Sequence, residues 1–242
     1  MEVRISAEDH RRAMERLREN NPFLPLHGVI RDVLRADIIE CTLVPGQQLR
    51  EVELAEEFGV SRTTIRNALD ALAQEGLLAQ QGRSMRVAGL TRAQYTQLHE
   101  FRRYIDPIAA SLAAARHNQN DLERMTACLE ATNTDDAEVF LEADNSFHLT
   151  ICAAAKNQYL LQAYHQIEPA RRRINYFSEM CLLRDGLWEF SQHKRERMRE
   201  EHHSILEAIR RSDDAAAAAM ARKHVGLLLF DFDSYEKRFV TK

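Results

Sequence analysis

The apolar positions divide the chain into two textures. From residue 26 to about 90 the pattern is compact and often interrupted. Val29, Ile30, Val33, Leu34, Ile38 and Ile39 recur at helical spacing, and Pro45-Gly46 stops that helix in a turn. A second helix near 51–58 turns Leu54, Ala55 and Phe58 inward. Gly59 suits its end, because glycine accepts a left-handed backbone without a Cβ clash. Ser61 offers an N-cap for a third helix over 61–75, whose apolar side is Ile65, Ala68, Leu69 and Leu72. Leu77-Leu78-Ala79 and Met85-Arg86-Val87-Ala88 then read as two short strands around a glycine-containing turn. After residue 91 come long amphipathic helices, predicted near 92–116, 120–132, 136–155, 158–178, 188–211 and 213–238, with breakers between them. Residues 1–25 form a charged arm ending at Asn21-Pro22 and Pro25. Ser6 with Asp9 resembles a capping box that would start a short helix there, a flexible tail being the alternative.

Composition reinforces the helical reading. Only eight Gly and five Pro occur in 242 residues, and aromatics make up 7%. A charged fraction of 29% beside 45% hydrophobic residues is that of a soluble globular chain. Mean hydropathy is -0.45, no apolar run is long enough to span a membrane, and the charged N-terminus does not resemble a secretory signal. Four scattered cysteines (Cys41, Cys128, Cys152, Cys181) without a CxxC read as reduced thiols of a cytoplasmic protein. The net charge of -4 is not the basic footprint usual for nucleic-acid partners.

Local charge tells a different story. Residues 53–78 have the form helix, tight turn, helix, with Ala55, Gly59, Val60, Ile65 and Leu69 meeting the packing demands of a helix-turn-helix. The outer face of the second helix carries Arg62, Thr63, Thr64, Arg66 and Asn67, residue types that contact phosphates and base edges. No acidic residue occurs over 61–69 or 76–90. The two strands would form a wing carrying Gln81, Gly82, Arg83 and Arg86. The bland alternative is a helical hairpin with solvated arginines. The fold expected is mainly α: an arm (1–25), an N-terminal winged helix-turn-helix of three helices plus a small β-wing (26–90), and a C-terminal antiparallel α-helical bundle (91–242).

The segment PGQQLREVELAEEFGVSRTTIRNALDALAQEGLL resembles the winged domain of GntR-family bacterial transcription regulators. The resemblance implies that Arg62 and Arg66 contact the operator and that Thr63, Thr64 and the wing-tip Gly82 approach DNA. Thr64 stands where many members of the subgroup have proline, and Asn67 where many have glutamate.

In the second half, Asp144 and His148 lie one turn apart on the apolar stripe of Phe140, Phe147 and Ile151. His202 falls on the stripe of Met198, Ile205 and Ile209. His224 falls with Met220, Leu227, Leu228 and Asp231. One carboxylate and three imidazoles from three helices thus point inward, and buried groups of this kind need satisfying. Such donors on facing helices build metal sites, and the set suits Zn²⁺, Ni²⁺ or another first-row metal. Arg102 lies inside the stripe of Leu98, Phe101, Ile105 and Ala109, where it would either fork onto a carboxylate ligand or form an internal ion pair. Arg171 and Asn175 flank another inner stripe, while the triple 171–173 more commonly reads as surface. The histidines at 99, 117, 165, 193 and 203 read as surface or capping residues.

The stretches LHEFRRYIDPIAASLAAA, DNSFHLTICAAAKN and EHHSILEAI, with the alanine run before His224, are similar to the effector-binding FCD domain of the FadR subfamily. This resemblance implies a metal on Asp144, His148, His202 and His224 beneath a pocket for a small organic acid, with Arg102 as the effector arginine. Asp106 replaces the commoner glutamate of that motif, and Pro107 beside it would kink the helix. The expectation is a non-enzymatic, ligand-responsive homodimer, a repressor reading a palindromic operator. Arg62, Thr63, Thr64, Arg66, Gln81 and Gly82 would face DNA, Arg102 and Asn175 would face the effector, and no membrane is involved. The alternative is a metal-dependent hydrolase of small carboxylates with an appended helix-turn-helix.

Overall fold

The computed structural model describes residues 7–82 and 84–226. It divides into two compact units, with the chain passing from one to the other between Leu90 and Thr91.

The first unit contains α1 (Ala7–Asn20), α2 (Leu26–Ile39), β1 (Gln48–Leu49), α3 (Glu51–Phe58), α4 (Arg62–Gln74), β2 (Leu78–Gln81) and β3 (Ser84–Val87). Ile30, Leu34, Ile38, Phe58, Ile65, Leu69 and Leu72 form its core. The turn between α3 and α4 is set locally. Gly59 caps α3 in the left-handed region at φ 65°, and the Ser61 hydroxyl accepts the Thr64 backbone N–H at 3.2 Å. The wing is a three-stranded antiparallel sheet of order β1-β3-β2, with Gln48 opposite Arg86 and Ala79 opposite Arg86 on the other side. The two-residue β1 is too short to leave an alternating signature, so the sequence showed only two of the three strands.

Among the described residues of the arm, Ala7–Asn20 are helical. Ala13, Met14 and Leu17 pack α1 against the core of this unit. His10 is buried between α2 and α3. Its two ring nitrogens lie 2.8 Å from Asp37 Oδ2 and 2.7 Å from Glu57 Oε1, and the ring stacks on Phe58. Ser6 of the expected capping box lies outside the described residues.

The second unit is a bundle of α5 (Arg92–Arg116), α6 (Gln119–Ala131), α7 (Ala137–Ala154), α8 (Gln158–Arg184), α9 (Trp188–Arg210) and α10 (Asp214–Gly226). Capping boxes at Thr91 and Asn118 and side-chain caps at Asp136 and Asn157 start four of these helices. Along the seam of α5 and α10, Ala109, Ala113, Ala217 and Ala221 let the two backbones approach closely. Phe147, Ile151, Tyr164, Ile205 and Ile209 fill the centre.

One detail departs from the sequence reading. Helix α8 runs past residue 178 to Arg184, because α9 satisfies its polar residues. Lys194 donates to Ser178, and the buried Glu179 accepts from Arg195 and Ser191. Helix α5 spans Arg92–Arg116 with Pro107 inside it, the range that the sequence predicts. The expected extension of the last helix beyond 226, with Leu227, Leu228 and Asp231, lies outside the described residues. All four cysteines are free thiols, and no described helix is long and apolar enough to cross a membrane.

Candidate DNA-reading face and metal-binding bundle core

Helix α4 presents Arg62, Thr63, Arg66 and Asn67 to solvent from its first two turns, while Ile65, Ala68 and Leu69 anchor the opposite side. Thr64 is half-buried, and its hydroxyl lies 2.7 Å from the Ser61 hydroxyl, so it closes the cap instead of projecting outward. Arg66 is held side-on: its Nε and Nη2 donate to the two oxygens of Glu51 at 2.9 and 2.8 Å. Arg62 reaches the same carboxylate at 3.7 Å. At the wing tip, Gln81 and Gly82 are exposed, and Gly82 turns the chain with φ 63°. Arg86 departs from the expected exposed role, since its Nη1 donates to the Gly46 carbonyl at 2.8 Å and ties β3 to the turn before β1. Arg83 lies outside the described residues.

The bundle brings the predicted acid and histidines together. His148, His202 and His224 are buried, and their ligand atoms all lie within 4.8 Å of one another. His202 Nε2 is 3.3 Å from His224 Nε2 and 3.5 Å from Asp144 Oδ1; His148 Nε2 is 3.9 Å from the same oxygen. Ligands about 2.0–2.1 Å from a tetrahedral ion stand roughly 3.3–3.4 Å apart, so these spacings fit a small divalent metal. The protonation states fit as well. Burial holds His148 well below its ordinary pKa, with Arg171 adding to the effect. Burial, His224 and Arg171 do the same for His202. Both rings therefore keep a lone pair to donate.

Outer partners orient this set. Glu201 Oε2 lies 2.8 Å from His224 Nδ1, which fixes the tautomer whose Nε2 faces the cluster. Despite its burial, this bond holds the Glu201 carboxyl below its usual range. Arg171 Nη1 and Asn175 Nδ2 each donate to Asp144 Oδ2 at 3.3 Å, and Arg171 Nη2 donates to the Asn145 carbonyl. The other oxygen, Asp144 Oδ1, is buried without a hydrogen-bond partner, as are Asp106 Oδ1 and the Tyr164 hydroxyl. An orphaned carboxylate oxygen among imidazole lone pairs is what a cation would satisfy.

Arg102 takes the internal ion pair rather than the fork onto a ligand: its Nε and Nη2 donate to Asp106 Oδ2 at 3.0 and 2.8 Å. Asp106, Cys152, Tyr164, His148 and His224 line a narrow cavity of about 10 Å³, room for about one water molecule. Asn175 is directed at Asp144. Phe101 faces solvent rather than the inner stripe. His99 is not a surface residue. It is half-buried against Tyr95, and burial with the nearby Arg102 charge lowers its pKa to about 4.

Residues 97–227 match the FCD domain family, and residues 26–87 match the family described as bacterial regulatory proteins, gntR family. The chain belongs to the GntR family. Its relatives include the HTH-type transcriptional regulator LutR of Bacillus subtilis (strain 168), 31% identical over 76% of this chain and 90% of that protein. The Glc operon transcriptional activator of Escherichia coli (strain K12) is 29% identical over 83% and 86%. Among solved structures, E. coli McbR/YncC superposes with a TM-score of 0.63 at 21% identity, covering 85% of this chain and 96% of that one. A putative GntR transcriptional regulator from Rhodococcus sp. RHA1 gives 0.65 at 19%, over 88% and 97%. These structures share the fold of this GntR regulator. The matched domains and named relatives are transcriptional regulators, not enzymes, which overturns the hydrolase alternative.

Three residues of this GntR protein escaped the sequence reading. Glu201 is adjacent to His202, and its partner His224 is 23 positions away, so no local pattern marks it. Glu51 reads only as a first-turn acid of α3. His10 was hidden in the arm, although the spacing of His10, Ala13, Met14 and Leu17 on one helix face was a usable signal.

Proposed function

We propose that this GntR regulator acts in the cytoplasm as a homodimeric repressor of a palindromic operator, controlled by a metal-assisted small-acid site in its bundle. Arg62, Thr63, Arg66, Gln81 and Gly82 would meet DNA, with Thr64 shaping the start of α4. Asp144, His148, His202 and His224 would hold Zn²⁺ or Ni²⁺, and that ion would supply a Lewis-acid position for a carboxylate oxygen. The single observation that carries this reading is the buried cluster itself: three imidazoles, two of them held neutral, around an unpartnered carboxylate oxygen and next to a cavity.

The chain's own residues would do the rest. Glu201 orients His224, and Arg171 and Asn175 hold Asp144 so that Oδ1 faces the imidazoles. Asp106 lines the cavity and holds Arg102, a cation that would exchange this partner for an incoming anion. An acid that drew Arg102 away from Asp106 would disturb α5, which packs along α10 and so couples the pocket to the His224 helix. By linkage, DNA binding and acid binding then shift one another.

Elemental analysis of purified protein, followed by thermal melts against a panel of small carboxylates, tests the reading. One equivalent of metal per chain and a carboxylate-dependent rise in Tm are expected. A metal-free protein that stays metal-free with added Zn²⁺ and Ni²⁺, or a panel with no shift in the metal-loaded protein, would overturn it.

A further inference from the structure

The two arginines expected to read DNA share one acid. Glu51 is the first residue of α3, and its carboxylate reaches across to α4, 15 positions on, with both oxygens engaged by Arg66. The guanidinium has two bidentate edges, one made of Nε and Nη2 and one made of Nη1 and Nη2. Glu51 fills the first. The second is the edge that pairs with O6 and N7 of guanine, and no hydrogen bond engages it among the described residues. The Arg66 side chain is 58% exposed, and that of Glu51 is 28% exposed. An arginine this exposed would sample many rotamers without a fixed partner.

We propose that Glu51 is a positioning residue for DNA reading. It occupies the Nε edge of Arg66 and so presents the Nη1/Nη2 edge for a guanine, with Arg62 steadied more weakly on the same carboxylate. The proposal rests on the reading of α4 as the DNA-contacting helix. It makes Glu51 a source of specificity although it carries the same charge sign as the phosphates. A simple electrostatic role predicts the reverse: removing the charge would strengthen binding to every duplex alike.

The test uses the full-length protein and two short duplexes: one enriched from a randomised library by the wild type, and a scramble of the same composition. Fluorescence anisotropy gives Kd for wild type, Glu51→Gln, Glu51→Asp, Arg66→Ala and the Glu51→Gln/Arg66→Ala pair. Thermal melts check that each variant folds. Glu51→Gln should cut the selected-to-scrambled affinity ratio roughly tenfold, within the range for one bidentate base contact. Binding to the scramble should stay level or strengthen. Glu51→Asp keeps the charge but shortens the reach, so it should lose the ratio as well. In the Arg66→Ala background, Glu51→Gln should change the ratio no further. Rescue by Glu51→Asp, equal strengthening on both duplexes, or an undiminished effect of Glu51→Gln without Arg66 would overturn the positioning role. If Arg66→Ala leaves the ratio intact, the DNA-reading assignment of α4 falls and the positioning role falls with it. If Arg66→Ala lowers the ratio and Glu51→Gln does not, only the positioning role falls.

Discussion

Asp144 is expected to be both a metal ligand and the counter-charge of a buried cation, and the two roles can be separated. Its side chain and that of Arg171 are each 1% exposed and lie 3.3 Å apart. Asp144→Leu removes the carboxylate and leaves the Arg171 guanidinium deep in the bundle. Among the described residues its remaining polar contact there is the Asn145 carbonyl at 3.3 Å. Breaking a buried pair from one side costs about 3–5 kcal/mol. For a unit spanning Thr91–Asp233, an unfolding entropy of roughly 0.3 kcal/mol per degree converts that into a fall in Tm of roughly 10–17 °C. The second substitution is Arg171→Met in the same chain, because replacing both members of a buried pair by apolar side chains is often close to neutral. Circular-dichroism melts in chelator compare wild type, Asp144→Leu and Asp144→Leu/Arg171→Met, and elemental analysis after metal loading runs alongside. The double variant should recover most of the lost Tm yet still bind metal poorly, since the ligand is absent in both. A double variant no more stable than the single would refute the assignment of the stability loss to an unpaired Arg171. Full metal occupancy in either would refute Asp144 as a ligand.

Other outcomes follow from the same geometry. Glu201→Gln keeps the hydrogen-bond acceptor and loses the charge behind His224, so metal affinity measured by competition with a chelating dye should fall about tenfold to a hundredfold. Arg66→Ala should weaken operator binding at least tenfold while leaving Tm within a degree or two, because an exposed ion pair contributes little stability. His10 gives a pH dependence of defined sign. Burial opposes its charge, but hydrogen bonds and charge from Asp37 and Glu57 outweigh burial and raise its pKa above the ordinary 6.5. The docking of α1 is therefore fully supported below about pH 6.5 and weakens as pH rises through the higher folded value. Amide exchange of α1, corrected for intrinsic rates, should accelerate between pH 6 and pH 9 in the wild type and be fast at both in His10→Ala. A wild-type rate that does not depend on pH would show that the His10 charge does not hold the arm.

The helix-turn-helix was legible because its determinants are local. Gly59 supplies the left-handed residue, Ser61 caps the next helix, and the 3.6-residue spacing of Ile65, Leu69 and Leu72 fixes which face is outward. The same periodicity turns Asp144, His148, His202 and His224 inward, and all four are buried. Bulk charge was the misleading signal. Residues 1–90 hold 12 basic against 14 acidic side chains and the remainder 21 against 23, so neither half is basic. Only the acid-free stretches mark the proposed DNA face, and within the fold Arg62 and Arg66 are held by an acid from another helix.

What the sequence determined by itself was the set of helices, their caps and the face each turns to the core, since these depend on neighbours within a turn or two of chain. Tertiary structure decided the partners. Arg102 chose Asp106 over a metal ligand, Arg171 and Asn175 took one oxygen of Asp144 and left the other bare, Glu201 fixed the His224 ring, and α1 docked through His10. Most of these pairs are separated by 23 to 31 positions, and Arg102 with Asp106 by only four. A charged side chain pairs with whichever opposite group the packing leaves buried beside it, because an unpaired charge in the core costs more than any local preference returns.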